Sequence, residues 1–168
     1  MEKRIILVTG GQSSGKSLHA EGLARGLAPD PVYVATARAE GMEDRVLRHR
    51  ARRGPEWTTI EEPLRLGALA MHGRVVLVDC VTLWCTNLFF EAGGNIFSAE
   101  NTARAELERF TAPEAVYVFV TGEVGLGGVS ESAMARDFAD LLGRVNQFIA
   151  AMAHEVTLVV SGIPVKIK

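Results

Sequence analysis

A glycine-rich stretch, TGGQSSGKS at residues 9–17, follows the apolar run IILV directly and restricts the possible folds of this chain more than any other feature. Glycine weakens a backbone and is therefore used where the chain needs a positive φ or a close approach. The positions that define a phosphate-binding P-loop are all present at the required spacing, namely Gly10, Gly15, Lys16 and Ser17. Residues 5–8 have the composition of a buried strand. Residues 17–27 have the apolar period of a helix, with Leu18, Leu23 and Leu27 on one side.

The residue types in this loop suit a bound phosphate group. Successive backbone N–H groups would converge on phosphate oxygens, and the helix N-terminus adds the positive end of its dipole. We expect Lys16 to act catalytically by neutralising the terminal phosphates, and the Ser17 hydroxyl to hold Mg²⁺. A merely flexible turn is the alternative. The nucleotide-binding residues predicted here are Gly10, Gly11, Gln12, Ser13, Ser14, Gly15, Lys16 and Ser17.

Bulk properties limit the class of protein. The 168 residues fit one domain, 1–168, and 48% of them are hydrophobic, so we expect an ordered core. A net charge of −2 gives no general attraction to nucleic acid. No apolar run reaches membrane-spanning length, and MEKR leads into a strand instead of a signal peptide. Cys80 and Cys85 lack partners at metal-site spacing, so we expect reduced packing residues in a cytoplasmic protein.

Further apolar, β-rich runs alternate with helical segments along the chain. They lie at Val32–Ala35, 75–78, 116–120 and 156–160, with a short final run at 165–167. Their continuous apolar character indicates strands that are covered on both faces, and the intervening lengths suit helical crossovers. The expected fold class is α/β and P-loop NTPase-like, with a mainly parallel central sheet and helices on both faces.

Acidic residues follow two of the predicted strands, at the edge where such sheets bind ligands. Asp79 ends the run RVVLVD and has the pattern of the acid that completes Mg²⁺ binding opposite a P-loop. An ordinary surface acid is the alternative. Thr121 and Glu123 lead into a glycine-rich loop whose spacing matches no general phosphate motif. A mobile surface turn is therefore the alternative to a functional loop here.

A basic segment at residues 45–53 contains five arginines and one histidine without an acid. On a helix, Arg45, His49, Arg52 and Arg53 would share one face. A solvated basic face is the default interpretation. The alternative is catalytic, because guanidinium groups would bind triphosphate oxygens and disfavour protonation of His49, which leaves a ring nitrogen free to attack phosphorus.

Several stretches together resemble the bifunctional adenosylcobinamide kinase/adenosylcobinamide-phosphate guanylyltransferase family of cobalamin biosynthesis. They run nearly from one end of the chain to the other: LVTGGQSSGKS, YVAT, RVLRHRARRGPEWTTIEEP, LVDCVTLWCTNL, VTGEVGLG, ARDFADLLGRVNQFIAAMAHEV and VVSGIPVKIK. The P-loop alone would not separate this family from other small kinases. The His-Arg segment, the TxEVG loop, the GRxNQ helix and the SGxPxKxK ending do so together.

The resemblance implies two reactions. A nucleoside triphosphate, ATP or GTP, phosphorylates the aminopropanol hydroxyl of adenosylcobinamide, and GTP then donates GMP to that phosphate through a GMP-histidine intermediate that falls on His49. Mg²⁺ would be held by Ser17 and Asp79, and the protein would be a homotrimer. Further nucleotide contacts implied by the resemblance are Ala35, Thr36, Arg50, Ala51, Arg52, Arg53, Glu61 and Asp79. For Glu61, an ordinary surface carboxylate is the alternative to a contact with the guanine edge.

One position departs from the family pattern, and two other functions remain as alternatives. Gly122 stands where the family usually has Asn before the Glu, so any contact made by that amide is lost. A single-function P-loop kinase of a small metabolite would use the same loop without a nucleophilic His49. A non-catalytic nucleotide switch would hydrolyse its nucleotide slowly and would not respond to cobinamide.

Overall fold

The computed structural model describes residues 2–38 and 54–168, and these form a seven-stranded sheet. The strands are β1 (Arg4–Gly10), β2 (Val32–Ala35), β3 (Thr58–Glu61), β4 (Val75–Asp79), β5 (Val116–Gly122), β6 (Glu155–Val160) and β7 (Ile163–Lys166). Their order in the sheet is β3-β2-β4-β5-β1-β6-β7. All neighbours are parallel except β7, which runs antiparallel to β6. The expected mainly parallel α/β sheet is therefore confirmed.

Four α-helices lie in the described part of the chain: α1 (Lys16–Leu27), α2 (Val81–Glu91), α3 (Ile96–Phe110) and α4 (Ala133–Met152). Short 3-10 helices occupy Leu66–Ala68 and Val124–Gly127. The side chain of Asn95 accepts a hydrogen bond from Ser98 N at 3.0 Å, and Ser132 accepts one from Ala135 N at 3.4 Å. These caps fix where α3 and α4 begin, because they satisfy backbone N–H groups that have no partner within the helix.

The sheet is buried on both faces by different helices. Along β1, Ile5 and Leu7 face a core completed by α2, α3 and α4, whereas Ile6 and Val8 face a second core against α1. The strands read as continuous apolar runs for this reason, since alternate residues face two dry layers. The prediction of helices on both faces is confirmed.

The structure also corrects the sequence predictions. The helix predicted at 17–27 is present, but Leu18 is 59% and Leu27 36% exposed because α1 packs through the small residues Ala20 and Ala24. The strand β3 was not predicted, and the last strand is Ile163–Lys166 and not 165–167. No helix among the described residues is long and apolar enough to cross a membrane.

The two cysteines are both buried thiols. This agrees with the expected packing role. Burial is the main cause that raises the pKa of the Cys85 thiol, and the nearby Cys80 adds to it. Cys85 is therefore held as an uncharged packing side chain.

Candidate functional site

The P-loop joins β1 to α1 and requires glycine at two positions. A Cβ on Gly10 would lie 2.5 Å from the carbonyl oxygen of Val159 and 2.6 Å from Ser14 Oγ. Gly15, which precedes α1, has a φ of 92°. Any side chain at Gly10 would push the loop away from the sheet, and an L-residue at Gly15 would be strained.

The turn between β6 and β7 packs against the P-loop and is hydrogen-bonded to it. The N–H of Gly162 donates to the carbonyl of Ser14 at 2.8 Å. A Cβ built on Gly15 would lie 3.2 Å from the Cα of Gly162. The two backbones therefore approach closely at a pair of glycines, which anchors the middle of the P-loop to the sheet.

Two residues predicted to hold Mg²⁺ lie together at the start of α1 and the end of β4. Ser17 Oγ donates to Asp79 Oδ1 at 3.3 Å, and the Tyr33 hydroxyl donates to Asp79 Oδ2 at 2.5 Å. Adjacent ligands of an octahedral Mg²⁺ at ~2.1 Å stand about 3 Å apart, so the spacing of the two oxygens fits a shared ion. The described residues contain no group of three or more His, Cys, Asp or Glu that could hold a metal. Phosphate oxygens and water would have to supply the other ligands.

Lys16 occupies the expected place at the start of α1. Its Nζ donates to the carbonyl of Gly11 at 2.9 Å, so the side chain folds back over the loop. The ammonium group therefore lies over the loop backbone. A phosphate oxygen could replace the Gly11 carbonyl there as its hydrogen-bond acceptor.

Ala35 and Thr36, predicted as nucleotide contacts, lie at the end of β2 beside Asp79. Thr36 is fully buried, and its hydroxyl donates to the carbonyl of Cys80 at 2.8 Å and accepts from the N–H of Cys80 at 2.9 Å. The Thr36 side chain therefore joins β2 to the backbone that follows Asp79. That role is structural and was not predicted.

The remaining predicted contacts are spread over the chain. Glu61 is exposed at the end of β3, in register with Ala35. The catalytic candidate His49 and the contacts at residues 50–53, namely Arg50, Ala51, Arg52 and Arg53, lie outside the described residues.

Glu123 belongs to a hydrogen-bonded network that the sequence analysis missed. Its Oε1 accepts from the Thr9 hydroxyl at 2.8 Å and from Asn146 Nδ2 at 3.5 Å. Asn146 also donates to the carbonyl of Gly122 at 3.1 Å and accepts from the Thr121 hydroxyl at 2.7 Å. Asn146 is in the GRxNQ stretch, but its partners are far away in sequence. No spacing pattern could have identified the network.

Gly122, the departure from the family pattern, sits close to α2. Its N–H donates to Thr82 Oγ1 at 2.8 Å, and a Cβ built on it would lie 3.2 Å from the same oxygen. A side chain at this position would require Thr82 to shift slightly.

A cavity of about 580 Å³, here called the β4–β5 cavity, opens beside the P-loop. One wall is formed by residues 11, 12 and 16 of the P-loop, and a second by residues 80, 82 and 83 at the start of α2. Residues 122–124, 126 and 127 after β5 form the third. The cavity thus lies against the lysine expected to contact the terminal phosphates.

Known proteins match nearly the whole length of this chain. A family model described as cobinamide kinase / cobinamide phosphate guanyltransferase matches residues 6–167. The bifunctional adenosylcobalamin biosynthesis protein CobU of Escherichia coli (strain K12) is 44% identical over an alignment of 182 positions. The alignment covers 98% of this chain and 99% of that protein. The bifunctional protein CobP of Pseudomonas aeruginosa is 40% identical, with 96% of each chain covered. The crystal structure of the flagellar accessory protein FlaH from Methanocaldococcus jannaschii aligns with a TM-score of 0.49 and 15% identity over 94% of this chain and 71% of FlaH. The family match and the two bifunctional relatives show that the chain is an enzyme of the cobinamide kinase / cobinamide phosphate guanyltransferase family.

Proposed function

We propose that this enzyme phosphorylates adenosylcobinamide with a nucleoside triphosphate and then transfers GMP from GTP to the resulting phosphate. Family membership over residues 6–167 supports both reactions. The names of the relatives include the word bifunctional, which favours this function over a single-function kinase.

The observation that carries the kinase reaction is the 3.3 Å contact between Ser17 and Asp79 at the foot of the P-loop. Two oxygen ligands from separate elements meet where a P-loop enzyme binds the metal of its nucleotide. Ser17 and Asp79 would hold Mg²⁺ there, and the ion would offset the charge that develops on the phosphate oxygens. Lys16 neutralises the terminal phosphates, and Tyr33 keeps the Asp79 carboxylate aimed at Ser17. Phosphoryl transfer then depends mainly on positioning and electrostatics.

The guanylyl transfer needs a nucleophile, and His49 is the residue that we assign to it from the sequence. A neutral ring nitrogen attacks the α-phosphorus of GTP, an N–P bond forms, and the bond to the bridging oxygen breaks. Pyrophosphate leaves with that electron pair. An oxygen of cobinamide phosphate then attacks the same phosphorus, and the N–P bond breaks to restore the imidazole.

The finer features of this function rest on the family resemblance. The phosphate donor of the first reaction is ATP or GTP. The contacts proposed for GTP are Ala35, Thr36, Glu61 and residues 50–53. Thr36 is fully buried, and its hydroxyl, its carbonyl and its N–H all have hydrogen-bond partners within the protein, so it would hold the backbone beside the nucleotide in place. The active protein is a homotrimer in the cytoplasm.

The substitution His49→Ala tests the two-reaction function. With GTP labelled at the α-phosphate, we expect the variant to form no acid-labile GMP adduct and to lose guanylyl transfer by at least about 10³-fold. Phosphorylation of adenosylcobinamide should be largely retained. His72→Ala is the matched control. His72 is exposed and precedes β4, so it lies near the amino ends of the parallel strands, whereas the P-loop follows the carboxyl end of β1.

The outcomes separate the alternatives. Absence of any adduct on the wild-type enzyme would remove the guanylyltransferase and leave a single-function kinase. Loss of both reactions in a folded His49→Ala variant would contradict the assignment of separate roles to His49 and the P-loop.

A further inference from the structure

Glu123 carries an oriented carboxylate that the proposed function has not used. It follows β5, and its own N–H donates to the carbonyl of Gly10 at 3.3 Å. Oε1 accepts from Thr9 at 2.8 Å and from Asn146 at 3.5 Å. Within residues 2–38 and 54–168, no hydrogen bond to Oε2 is found. The carboxylate is therefore held by one oxygen while the other remains available.

This carboxylate lines the β4–β5 cavity together with Lys16. Among the described residues that line the cavity, Glu123 is the one anionic side chain. Ser17 and Asp79 do not line it, although their neighbours Lys16 and Cys80 do. A P-loop lysine reaches the β- and γ-phosphates, and an acceptor must approach the γ-phosphorus opposite the leaving oxygen. The cavity provides open space beside this lysine, where an acceptor could approach the γ-phosphate.

The remaining walls indicate the chemical class of the acceptor. Leu83, Val124 and Leu126 present aliphatic surface to the cavity, and Thr82 adds a hydroxyl. The volume of about 580 Å³ lies within the range of a small-molecule site. A short aliphatic arm that ends in a hydroxyl fits this combination, because its carbon chain can contact the leucines while its hydroxyl reaches Glu123.

We propose, on the basis of the kinase reaction above, that the β4–β5 cavity is the subsite for the acceptor alcohol and that Glu123 is the catalytic residue that binds its hydroxyl. The hydroxyl oxygen forms the bond to the γ-phosphorus, and the bond from that phosphorus to the β,γ-bridging oxygen breaks. The nucleoside diphosphate leaves with the electron pair of that bond. The hydroxyl proton passes to Glu123 Oε2. Thr9 is a positioning residue, since its hydroxyl fixes the opposite carboxylate oxygen.

The first test is Glu123→Gln, which keeps the size of the side chain and an oxygen for Thr9 but removes the base. We expect kcat for adenosylcobinamide phosphorylation to fall about 10²- to 10³-fold, which lies within the range that a positioned base contributes. KM for the nucleoside triphosphate and the rate of GMP adduct formation from α-labelled GTP should stay within about threefold of wild type. Glu131→Gln is the matched control, because Glu131 is exposed further along the same loop.

A second pair of variants tests the positioning. Thr9→Val should lower kcat for phosphorylation about tenfold without raising the KM of the nucleotide, and Thr9→Ser should restore most of it, because serine keeps the hydroxyl. These variants leave the carboxylate in place, so they separate its orientation from its presence.

Three results would decide against the proposal. Phosphorylation by Glu123→Gln within threefold of wild type would show that the carboxylate is not the base. An equal loss of adduct formation would show that Glu123 acts on the nucleotide or the fold instead of the acceptor. Failure of both the wild-type enzyme and Glu131→Gln to phosphorylate adenosylcobinamide would contradict the proposed function and therefore this inference as well. The first two results would contradict the inference alone.

Discussion

Two carboxylates stand at the ends of neighbouring strands, and they are held in different ways: Asp79 is the last residue of β4, and Glu123 directly follows β5. Both oxygens of Asp79 accept hydrogen bonds from hydroxyl groups, those of Ser17 and Tyr33. Glu123 is held through one oxygen, by Thr9 and Asn146. Under the proposed function, this difference suits Asp79 to the role of a fixed metal ligand and Glu123, one strand away, to that of a carboxylate with an open side for a substrate.

The largest effect expected from this comparison is that of Asp79→Asn. The neutral amide would lose the charge that holds a metal, so both phosphorylation and GMP transfer should fall about 10³-fold, a loss of about 4 kcal/mol of transition-state stabilisation. Steady-state assays of both reactions over a range of Mg²⁺ concentrations measure this. Asp30→Asn is the control. Asp30 is exposed and precedes β2, so it lies near the amino ends of the parallel strands, whereas Asp79 lies at the carboxyl end of β4. If only the kinase reaction were lost, Asp79 and Glu123 would not differ as described.

The second effect concerns how much the buried hydroxyl groups near each carboxylate contribute to the free energy of unfolding. Thr36→Val should lower the free energy of unfolding by about 1–3 kcal/mol, because both the N–H and the carbonyl of Cys80 lose their hydroxyl partner in a fully buried position. Thr121→Val on the Glu123 side removes a single bond to Asn146 and should cost about 1 kcal/mol. Urea unfolding of both variants provides the comparison. Equal losses would mean that the hydrogen bonds of Thr36 and Thr121 contribute equally to the free energy of unfolding.

The smallest effect provides a baseline away from both carboxylates. The side-chain hydrogen bond from Arg4 is the main cause that lowers the pKa of Glu155. Both side chains are partly exposed, at 43% and 29%, so Glu155→Gln should cost less than about 1 kcal/mol at neutral pH. A carboxylate with a lowered pKa stabilises the fold above its ordinary range, and this contribution is lost as the pH falls through the lowered value. Thermal unfolding from pH 7 to pH 3 should therefore show the variant and the wild type converge in acid, with neither activity changed at pH 7.

The sequence predicted the features that depend on local patterns. The P-loop was recognisable from its spacing, and Asp79 from its place after an apolar run. The strand β3 was missed because it lies at the edge of the sheet with Thr58, Thr59 and Glu61 exposed, so it lacks the apolar run of the central strands.

The partners of the two carboxylates could not be predicted in the same way. Tyr33 lies in an otherwise aliphatic strand and is 2% exposed, so its sequence context gives no sign that its hydroxyl reaches Asp79. Thr9 and Asn146 come together at Glu123 only because β1, β5 and α4 are packed side by side. Such contacts follow from the tertiary fold, and single-sequence patterns do not encode them.

Under the proposed function, the hydrogen bond between Gly162 and Ser14 gives the β6–β7 turn an indirect part in nucleotide binding. Phosphate recognition depends on amide groups that are already aimed before the nucleotide arrives, and this turn holds the middle of the loop in that arrangement. Substitutions that disturb this hairpin should therefore weaken nucleotide affinity, although Asp79 and the β4–β5 cavity remain in place.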